Sequence, residues 1–259
     1  MSTYLGQNFL SDDEIISYIA SKIASLCQEK KSEAIFEIGP GKGAITREIR
    51  SISKDFWCFE KDETMKNHLK PLVGDKIIWG DILDLDIEHF IKEKNLSPEK
   101  IFIVGNLPYY ITSPILRKFF SSSLSHFSGG FFMIQKEVGD KIKVDASKKS
   151  YLRRLLNFFY EVTYCKTVPP SAFSPAPKVH SCLISLTPKP TLGKFFTLVS
   201  YEKMLVFLDA FSPYKRKTLG KIQKMLSKSE EQPTYSIPEH LATKRLEELT
   251  RSDLESILG

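Results

Sequence analysis

The chain has 259 residues, of which 42% are hydrophobic and 26% charged. These values exclude a disordered chain and suit one ample domain, alone or with a small appendage. No apolar run approaches the roughly 20 residues of a membrane-spanning helix, and residues 1–10 lack the pattern of a secretory signal. The four cysteines have no paired spacing, so we expect no structural metal and a reducing cytoplasm.

The formal net charge is +6, and basic residues cluster in two stretches, 141–154 and 215–228. Such clusters favour nucleic acid as a partner, because phosphate binding releases counterions. They fit a solvated surface equally well. Charge alone therefore does not decide between the two.

Short apolar runs alternate with amphipathic helical segments in the first two thirds of the chain. The predicted strands are 34–38, 56–60, 76–79, 101–105 and 130–135. The predicted helices between them are 45–52, 63–72, 87–94 and 114–124. Strands that alternate with helices predict an α/β fold with a parallel sheet covered on both faces.

The pattern changes after residue 150. A helix is predicted at 151–159, and two strand-like runs follow at 162–168 and 181–186 with no helix between them, which predicts an antiparallel pair closing the sheet. Residues 187–190 are the predicted linker. Further helices are predicted at 201–211, 215–226, 238–241 and 252–258. We therefore predict two domains, 1–190 and a small helical domain at 191–259.

The first predicted strand runs into a glycine-rich loop with the sequence Glu37-Ile38-Gly39-Pro40-Gly41-Lys42-Gly43. Glycines let the backbone turn sharply and approach a ligand at the carboxyl end of a strand. A dinucleotide site prefers the spacing G-x-G-x-x-G. The G-x-G-x-G spacing found here, preceded by an acid, suits a nucleoside cofactor without a pyrophosphate. A plain structural turn is the alternative.

Acidic residues follow the next two strands. Glu60 ends the second strand and can accept hydrogen bonds from both hydroxyls of a ribose. Asp81 follows the third strand, where it can accept from an adenine amino group. One acid at a strand end is usually just solvated. Together with the glycine loop, the two acids favour a nucleoside cofactor.

The fourth predicted strand leads into Asn106-Leu107-Pro108-Tyr109. The amino nitrogen of adenine is a poor nucleophile, because its lone pair is delocalised into the ring. The Asn106 side-chain oxygen and a backbone carbonyl near Leu107 or Pro108 can accept its two hydrogens and free the lone pair, while Tyr109 stacks on the base. The motif predicts methyl transfer to a base amine through positioning, without a metal. A turn capped by asparagine is the structural alternative.

Several blocks of sequence match one known family in order and spacing. These blocks are 5–10, 37–43, 106–111, 133–138, 173–179 and 215–219. The chain resembles the KsgA-type ribosomal RNA small-subunit adenine dimethyltransferase family. The resemblance implies a Rossmann-like class I methyltransferase sheet, and a small C-terminal helical domain that contacts RNA and the ribosome.

The resemblance also implies S-adenosylmethionine as cofactor. The implied cofactor-binding residues are Asn8, Leu10, Gly39, Glu60, Asp81 and Asn106. Asn8 and Leu10 would close over the cofactor from the N-terminal arm, and Gly39 would contact its methionine part. Asn106 would lie beside both the cofactor and the target amine, and belongs with Leu107, Pro108 and Tyr109 to the catalytic set.

The family dimethylates the N6 amines of two adjacent adenosines in the 3′-terminal hairpin of small-subunit (16S) RNA, during assembly of the 30S subunit. A flipped adenosine must therefore enter the pocket. Phe173 is either a second stacking face or a core residue. The implied partner is small-subunit RNA in an immature 30S subunit, and we expect a monomer with no membrane or metal partner.

The chain departs from the family's usual pattern at a few positions, which leaves the shape of the RNA-facing loop open. These positions are 139–141, 143–150, Leu152 and His180.

Three alternatives are a large-subunit RNA adenine methyltransferase of the macrolide-resistance type, a catalytically silent ribosome assembly factor, and a DNA adenine methyltransferase. The blocks 135–138 and 173–179 favour the small-subunit enzyme over the first, and the intact motif at Asn106 argues against the second. DNA enzymes typically carry an acid or serine at the Asn106 position.

Overall fold

Strands and helices alternate along most of the chain in a computed structural model, which describes residues 8–120, 127–143, 151–189, 198–214, 216–228 and 235–259. The strands are β1 (Phe9–Leu10), β2 (Ala34–Ile38), β3 (Asp55–Glu60), β4 (Ile77–Trp79), β5 (Ile101–Asn106), β6 (Gly129–Gln135), β7 (Tyr160–Val168), β8 (Phe173–Ser174) and β9 (Ser181–Pro188). The α-helices are α1 (Asp13–Lys30), α2 (Ala44–Ile49), α3 (Lys66–Val73), α4 (Ile87–Glu93), α5 (Thr112–Phe120), α6 (Lys136–Ile142), α7 (Tyr151–Phe159), α8 (Leu198–Phe211), α9 (Leu219–Leu226) and α10 (Arg251–Leu258).

Seven of the strands in the described ranges form one sheet, in the order β4-β3-β2-β5-β6-β9-β7. The strands from β4 to β6 are parallel, and β9 runs antiparallel to both of its neighbours. The predicted parallel sheet closed by an antiparallel pair is therefore confirmed. Every residue of the central strand β2 is buried, as expected of a strand covered on both faces.

Two apolar clusters cover the two faces of this sheet, and alternating side chains of each strand point into one or the other. On one face, Ile35 and Phe102 pack beneath α1 and α2. On the other face, Phe36 and Ile103 pack with α4, α5 and α7. Apolar residues of α8, α9 and α10 belong to this second cluster as well, so the C-terminal helices share a continuous core with the sheet.

Some of the sequence predictions fall on residues outside the described ranges. These are the domain boundary at 190/191, most of the loop 143–150, residues 5–7 of the N-terminal block, Lys215, and the end of the helix predicted at 114–124. The division into two domains stays a prediction. The helix predicted at 215–226 begins only at Leu219, after Thr218 in extended backbone. No helix in the described ranges is long and apolar enough to span a membrane.

Helix α1 lies outside the predicted elements, although its sequence carries a clear signal. Ile15, Ile19 and Ile23 are buried at a spacing of four residues, which is one face of a helix. The Asp12 side chain caps the helix by accepting from the Ile15 N–H at 3.0 Å. The pair β1–β8 was also not predicted, because its two-residue strands are defined by pairing between distant parts of the chain.

We expect Phe120 to be a main contributor to stability. Its fully buried ring lies 4.9 Å from the Tyr160 ring and 5.6 Å from the Phe132 ring, centroid to centroid. Phe120→Ala should lower the free energy of unfolding in urea by about 3–5 kcal/mol, because it leaves a cavity. Val206→Ala, at an exposed position of α8, should change it by less than about 0.5 kcal/mol. Similar values for the two variants would contradict this assignment.

Candidate active site

The carboxyl ends of β2 and β5 meet at the centre of the sheet. Ile38 pairs with Gly105 in the parallel register, and a Cβ at Gly105 would lie only 2.6 Å from the Ile38 carbonyl oxygen. Because any larger residue would push the strands apart, this position favours glycine. The next residues, Gly39 and Asn106, therefore lie side by side at the floor of a cleft of about 330 Å³.

Most of the predicted cofactor residues line this cleft. They are Asn8, Leu10, Gly39, Glu60 and Asn106. The glycine loop turns through left-handed backbone, with φ of 65° at Gly39 and 57° at Gly41. A side chain at Gly41 would also crowd the Phe9 ring, 3.1 Å away. The loop thus presents bare backbone to the cleft, which allows the close approach of a ligand.

Glu60 is buried and held by two backbone groups. Its Oε2 accepts from the Gly41 N–H at 2.9 Å and its Oε1 from the Asp62 N–H at 2.9 Å. Burial raises the pKa of the Glu60 carboxyl, and the two backbone hydrogen bonds act in the opposite direction. A carboxylate has about four lone-pair sites, more than these two hydrogen bonds use. The group is therefore oriented and can still accept hydrogen bonds from a diol.

Asp81 is the predicted cofactor residue that does not line the cleft. Its Oδ2 pairs with the Lys61 Nζ at 2.9 Å, and its Oδ1 accepts from the Leu83 N–H at 2.9 Å. The hydrogen bond from Lys61 is the main reason that the pKa of the Asp81 carboxyl is lowered. Contact between Asp81 and an adenine stays a prediction.

The N-terminal arm is held over the cleft by the segment that follows β7. Leu10 pairs with Phe173 in the β1–β8 ladder, and the Ser11 N–H donates to the Ala172 carbonyl at 2.9 Å. The Asn106 side-chain nitrogen donates to the Asn8 carbonyl at 3.5 Å, a long hydrogen bond. Phe173 is 5% exposed and lines the cleft, so it is at once a core residue and part of the wall.

The segment Asn106 to Tyr109 also lines the cleft. The Pro108 carbonyl accepts from the Ile111 N–H at 3.1 Å and from the Thr112 hydroxyl at 3.0 Å. Both of its lone pairs are therefore used. Among the described residues no group donates to the Leu107 carbonyl, so this oxygen is the better acceptor for a substrate. The structure thus separates two carbonyls that the sequence leaves equivalent.

A second buried carboxylate, Glu37, also lines the cleft. Thr46 Oγ1 donates to its Oε2 at 2.7 Å, and Cys58 Sγ lies 3.8 Å from the same oxygen. Burial raises the pKa of the Glu37 carboxyl to about 7; the two hydrogen bonds lower it, and the charge of Glu60 raises it. The sequence shows that an acid stands at this position. It does not show how deeply the carboxyl is enclosed, because that depends on how α2 and β3 pack over it.

Solved structures share the fold of this chain. A dimethyladenosine transferase from Plasmodium falciparum matches with a TM-score of 0.69 and 23% identity, over 96% of this chain and 98% of that one. The 23S rRNA methyltransferase ErmE matches with a TM-score of 0.63 and 21% identity, over 97% and 99% of the two chains. The fold is that of a class I methyltransferase, as predicted.

Sequence relatives give the family. The family described as ribosomal RNA adenine dimethylase matches residues 1–253. The ribosomal RNA small subunit methyltransferase A of Clostridium acetobutylicum is 35% identical over 238 residues, 89% of this chain and 82% of that protein. Its namesake from Thermotoga maritima is 32% identical over 257 residues, 98% of this chain and 83% of that protein. The chain belongs to the ribosomal RNA adenine dimethylase family, which confirms the predicted family and enzyme class.

The raised pKa of Glu37 predicts a pH dependence of stability. Between pH 4.5 and about 7 the unfolded chain releases this proton while the folded chain retains it, so the group lowers stability as the pH rises. Glu37→Gln mimics the protonated acid and lacks this effect. We expect the parent to lose roughly 3 kcal/mol relative to Glu37→Gln between pH 4.5 and 8, in urea unfolding.

The matched control is Glu48→Gln, at an exposed position of α2. Its stability difference from the parent should stay nearly constant over the same range, because an exposed carboxyl gains little from folding. A constant difference for Glu37→Gln as well would contradict a raised pKa of the Glu37 carboxyl in the folded protein.

Proposed function

We propose that this chain dimethylates the N6 amines of two adjacent adenosines in the 3′-terminal hairpin of small-subunit ribosomal RNA, with S-adenosylmethionine, during 30S subunit assembly. One observation carries the proposal: the motif Asn106 to Tyr109 and the glycine loop at Gly39 line one cleft. Family membership and the small-subunit methyltransferase names of the relatives support the substrate.

The residues of the cleft fit a nucleoside cofactor. When bound, S-adenosylmethionine supplies a methyl group on a positively charged sulfur. The oriented carboxylate of Glu60 would accept from the ribose hydroxyls, and the backbone at Gly39 would contact the methionine part. Leu10, fixed by the β1–β8 pair, and Asn8, whose carbonyl accepts from Asn106, would cover the cofactor. Asp81, at the end of the next strand, would contact the adenine. To do so it would either release Lys61 or bind Lys61 and the adenine together.

The target amine is activated by two acceptors of different kinds. The Asn106 nitrogen points to the Asn8 carbonyl, and in the described part of the chain no group donates to its side-chain oxygen, which would accept one amine hydrogen. The Leu107 carbonyl accepts the other. With both hydrogens accepted, the nitrogen would approach tetrahedral geometry, and its lone pair would be free and oriented toward the methyl group that the donor supplies. One amine proton leaves to solvent after the transfer.

Two aromatic residues hold the base that carries this amine. The rings of Tyr109 and Phe173 both line the cleft, and a flat base fits between such surfaces. The face of the Tyr109 ring also stabilises the positive charge that develops on the nitrogen. Positioning and electrostatics thus account for the chemistry with this chain's own groups.

The C-terminal helices are the proposed contact to the ribosome. Exposed cations lie on α9 and beside it: Arg216, Lys217, Lys221, Lys224 and Lys228. Such a cluster attracts phosphate groups through counterion release. We also propose that the protein acts as a monomer in the cytoplasm, where small subunits assemble.

The fold is also similar to that of ErmE, so the large-subunit alternative is tested directly. A substrate test separates the small-subunit proposal from this alternative. Methyl transfer to immature small subunits and to large-subunit RNA is followed by primer extension on both RNAs, because dimethylated adenine stops the polymerase. We expect stops only in the small-subunit RNA, near its 3′ end. Stops confined to large-subunit RNA would contradict the proposal.

Asn106→Ala separates catalysis from binding. It removes one of the two hydrogen-bond acceptors, so the rate of methyl transfer should fall by roughly 100-fold or more, while the Kd for RNA stays within about threefold. Asn67→Ala, at an exposed position of α3, is the matched control and should behave as the parent. Undiminished transfer by Asn106→Ala would refute the mechanism, and a silent parent would favour the assembly-factor alternative.

Glu60→Gln tests the cofactor site by itself. The amide keeps the shape of the side chain but replaces one acceptor by a donor. The Kd for S-adenosylhomocysteine in calorimetry should rise about 10- to 100-fold, with a nearly unchanged rate at saturating donor. Glu63→Gln, which is exposed, should leave the Kd unchanged. Equal affinities of both variants would place the ribose elsewhere.

A further inference from the structure

A short hydrogen bond joins Tyr109, the last residue of the motif, to strand β9, two strands away from β5. The Tyr109 hydroxyl lies 2.6 Å from the Ser181 hydroxyl, and either oxygen can be the donor. Ser181 is the first residue of β9 and is 0% exposed. Its backbone pairs with Gln135 in β6 and with Val168 in β7, so it is fixed on both sides within the sheet.

The two partners differ in how firmly they are held. Tyr109 lies in the loop between β5 and α5, and its ring can rotate about two side-chain torsions. Among the described residues, Tyr109 is the hydrogen-bond partner of the Ser181 side chain. A buried hydroxyl that loses its partner is costly. The hydrogen bond therefore fixes the hydroxyl end of the Tyr109 ring, which belongs to a loop, to a residue held firmly within the sheet.

We propose that Ser181 is a positioning residue, which holds the Tyr109 ring at the angle where it stacks on the target base. Ser181 thereby raises the rate of methyl transfer without contacting the donor or the RNA. This inference rests on the proposed function. The other proposed wall of the base site, Phe173, lies in the segment that leads into β9 at Ser181. Both walls, Tyr109 and Phe173, are therefore connected to the first residue of β9.

A double-mutant cycle tests the assignment. The variants are Ser181→Ala, Tyr109→Phe and the combination of both, measured as single-turnover methyl transfer at saturating RNA and donor. Each single variant should lower the rate about tenfold, and the double variant should be no slower than the slower single one, because both changes remove the same bond. The Kd values for RNA and for S-adenosylhomocysteine should stay within about threefold.

Matched controls remove the same groups elsewhere in the protein. Tyr164→Phe deletes a tyrosine hydroxyl that lies 2.8 Å from Thr167 Oγ1 on β7. Ser185→Ala deletes a buried serine hydroxyl from β9 itself. Both controls should transfer methyl groups within about twofold of the parent rate. A control as slow as its partner variant would show a general effect on the sheet and overturn the assignment.

The remaining outcomes are also decisive. Parental rates for both single variants, rate losses that multiply in the double variant, or losses of affinity in place of rate would each overturn the role of Ser181. Thermal melting shows whether Ser181→Ala folds. If it does not, the rate of Tyr109→Phe compared with that of Tyr164→Phe still tests the hydrogen bond, because Tyr109 is only half-buried and its variant should fold. A parent without any transfer contradicts the proposed function, and this inference with it.

Discussion

The site depends on one backbone contact, the parallel pairing of Ile38 with Gly105 at the centre of the sheet. The strands fit at this point because position 105 lacks a side chain, which would otherwise lie 2.6 Å from the Ile38 carbonyl. The pairing sets Gly39, at the start of the glycine loop, beside Asn106, the residue proposed to face the substrate. A shift of one residue in this register would separate these two residues, since neighbouring strand residues face opposite sides.

In the proposed function, the order of strands along the sheet is also the order of chemical tasks. From β3 through β2 and β5 to β9, the residues at this edge are in turn Glu60, Gly39, Asn106 and Ser181. The proposal assigns the nucleoside part of the donor to one half of this edge and the target base to the other, with the methyl group between them. Strand β9 reaches the same edge although it is antiparallel, because its first residue pairs with the last residue of β6.

The sequence was enough to predict the sheet, the acid at Glu60 and the motif at Asn106, because each depends on a local pattern at a strand end. It could not indicate contacts between distant segments. The β1–β8 pair and the bond from Tyr109 to Ser181 join residues far apart in the chain. The ion pair that turns Asp81 toward Lys61 depends on side-chain packing. Helix α1 differs from these, since its four-residue spacing was available in the sequence.

A crystal structure of the protein with S-adenosylhomocysteine would test most directly whether the cleft holds the donor. We expect the ligand in the cleft between the ends of β2 and β5, with its ribose on Glu60 and its sulfur directed toward Asn106. Ligand density outside this cleft, or a cleft closed by side chains while the ligand binds elsewhere, would contradict this expectation.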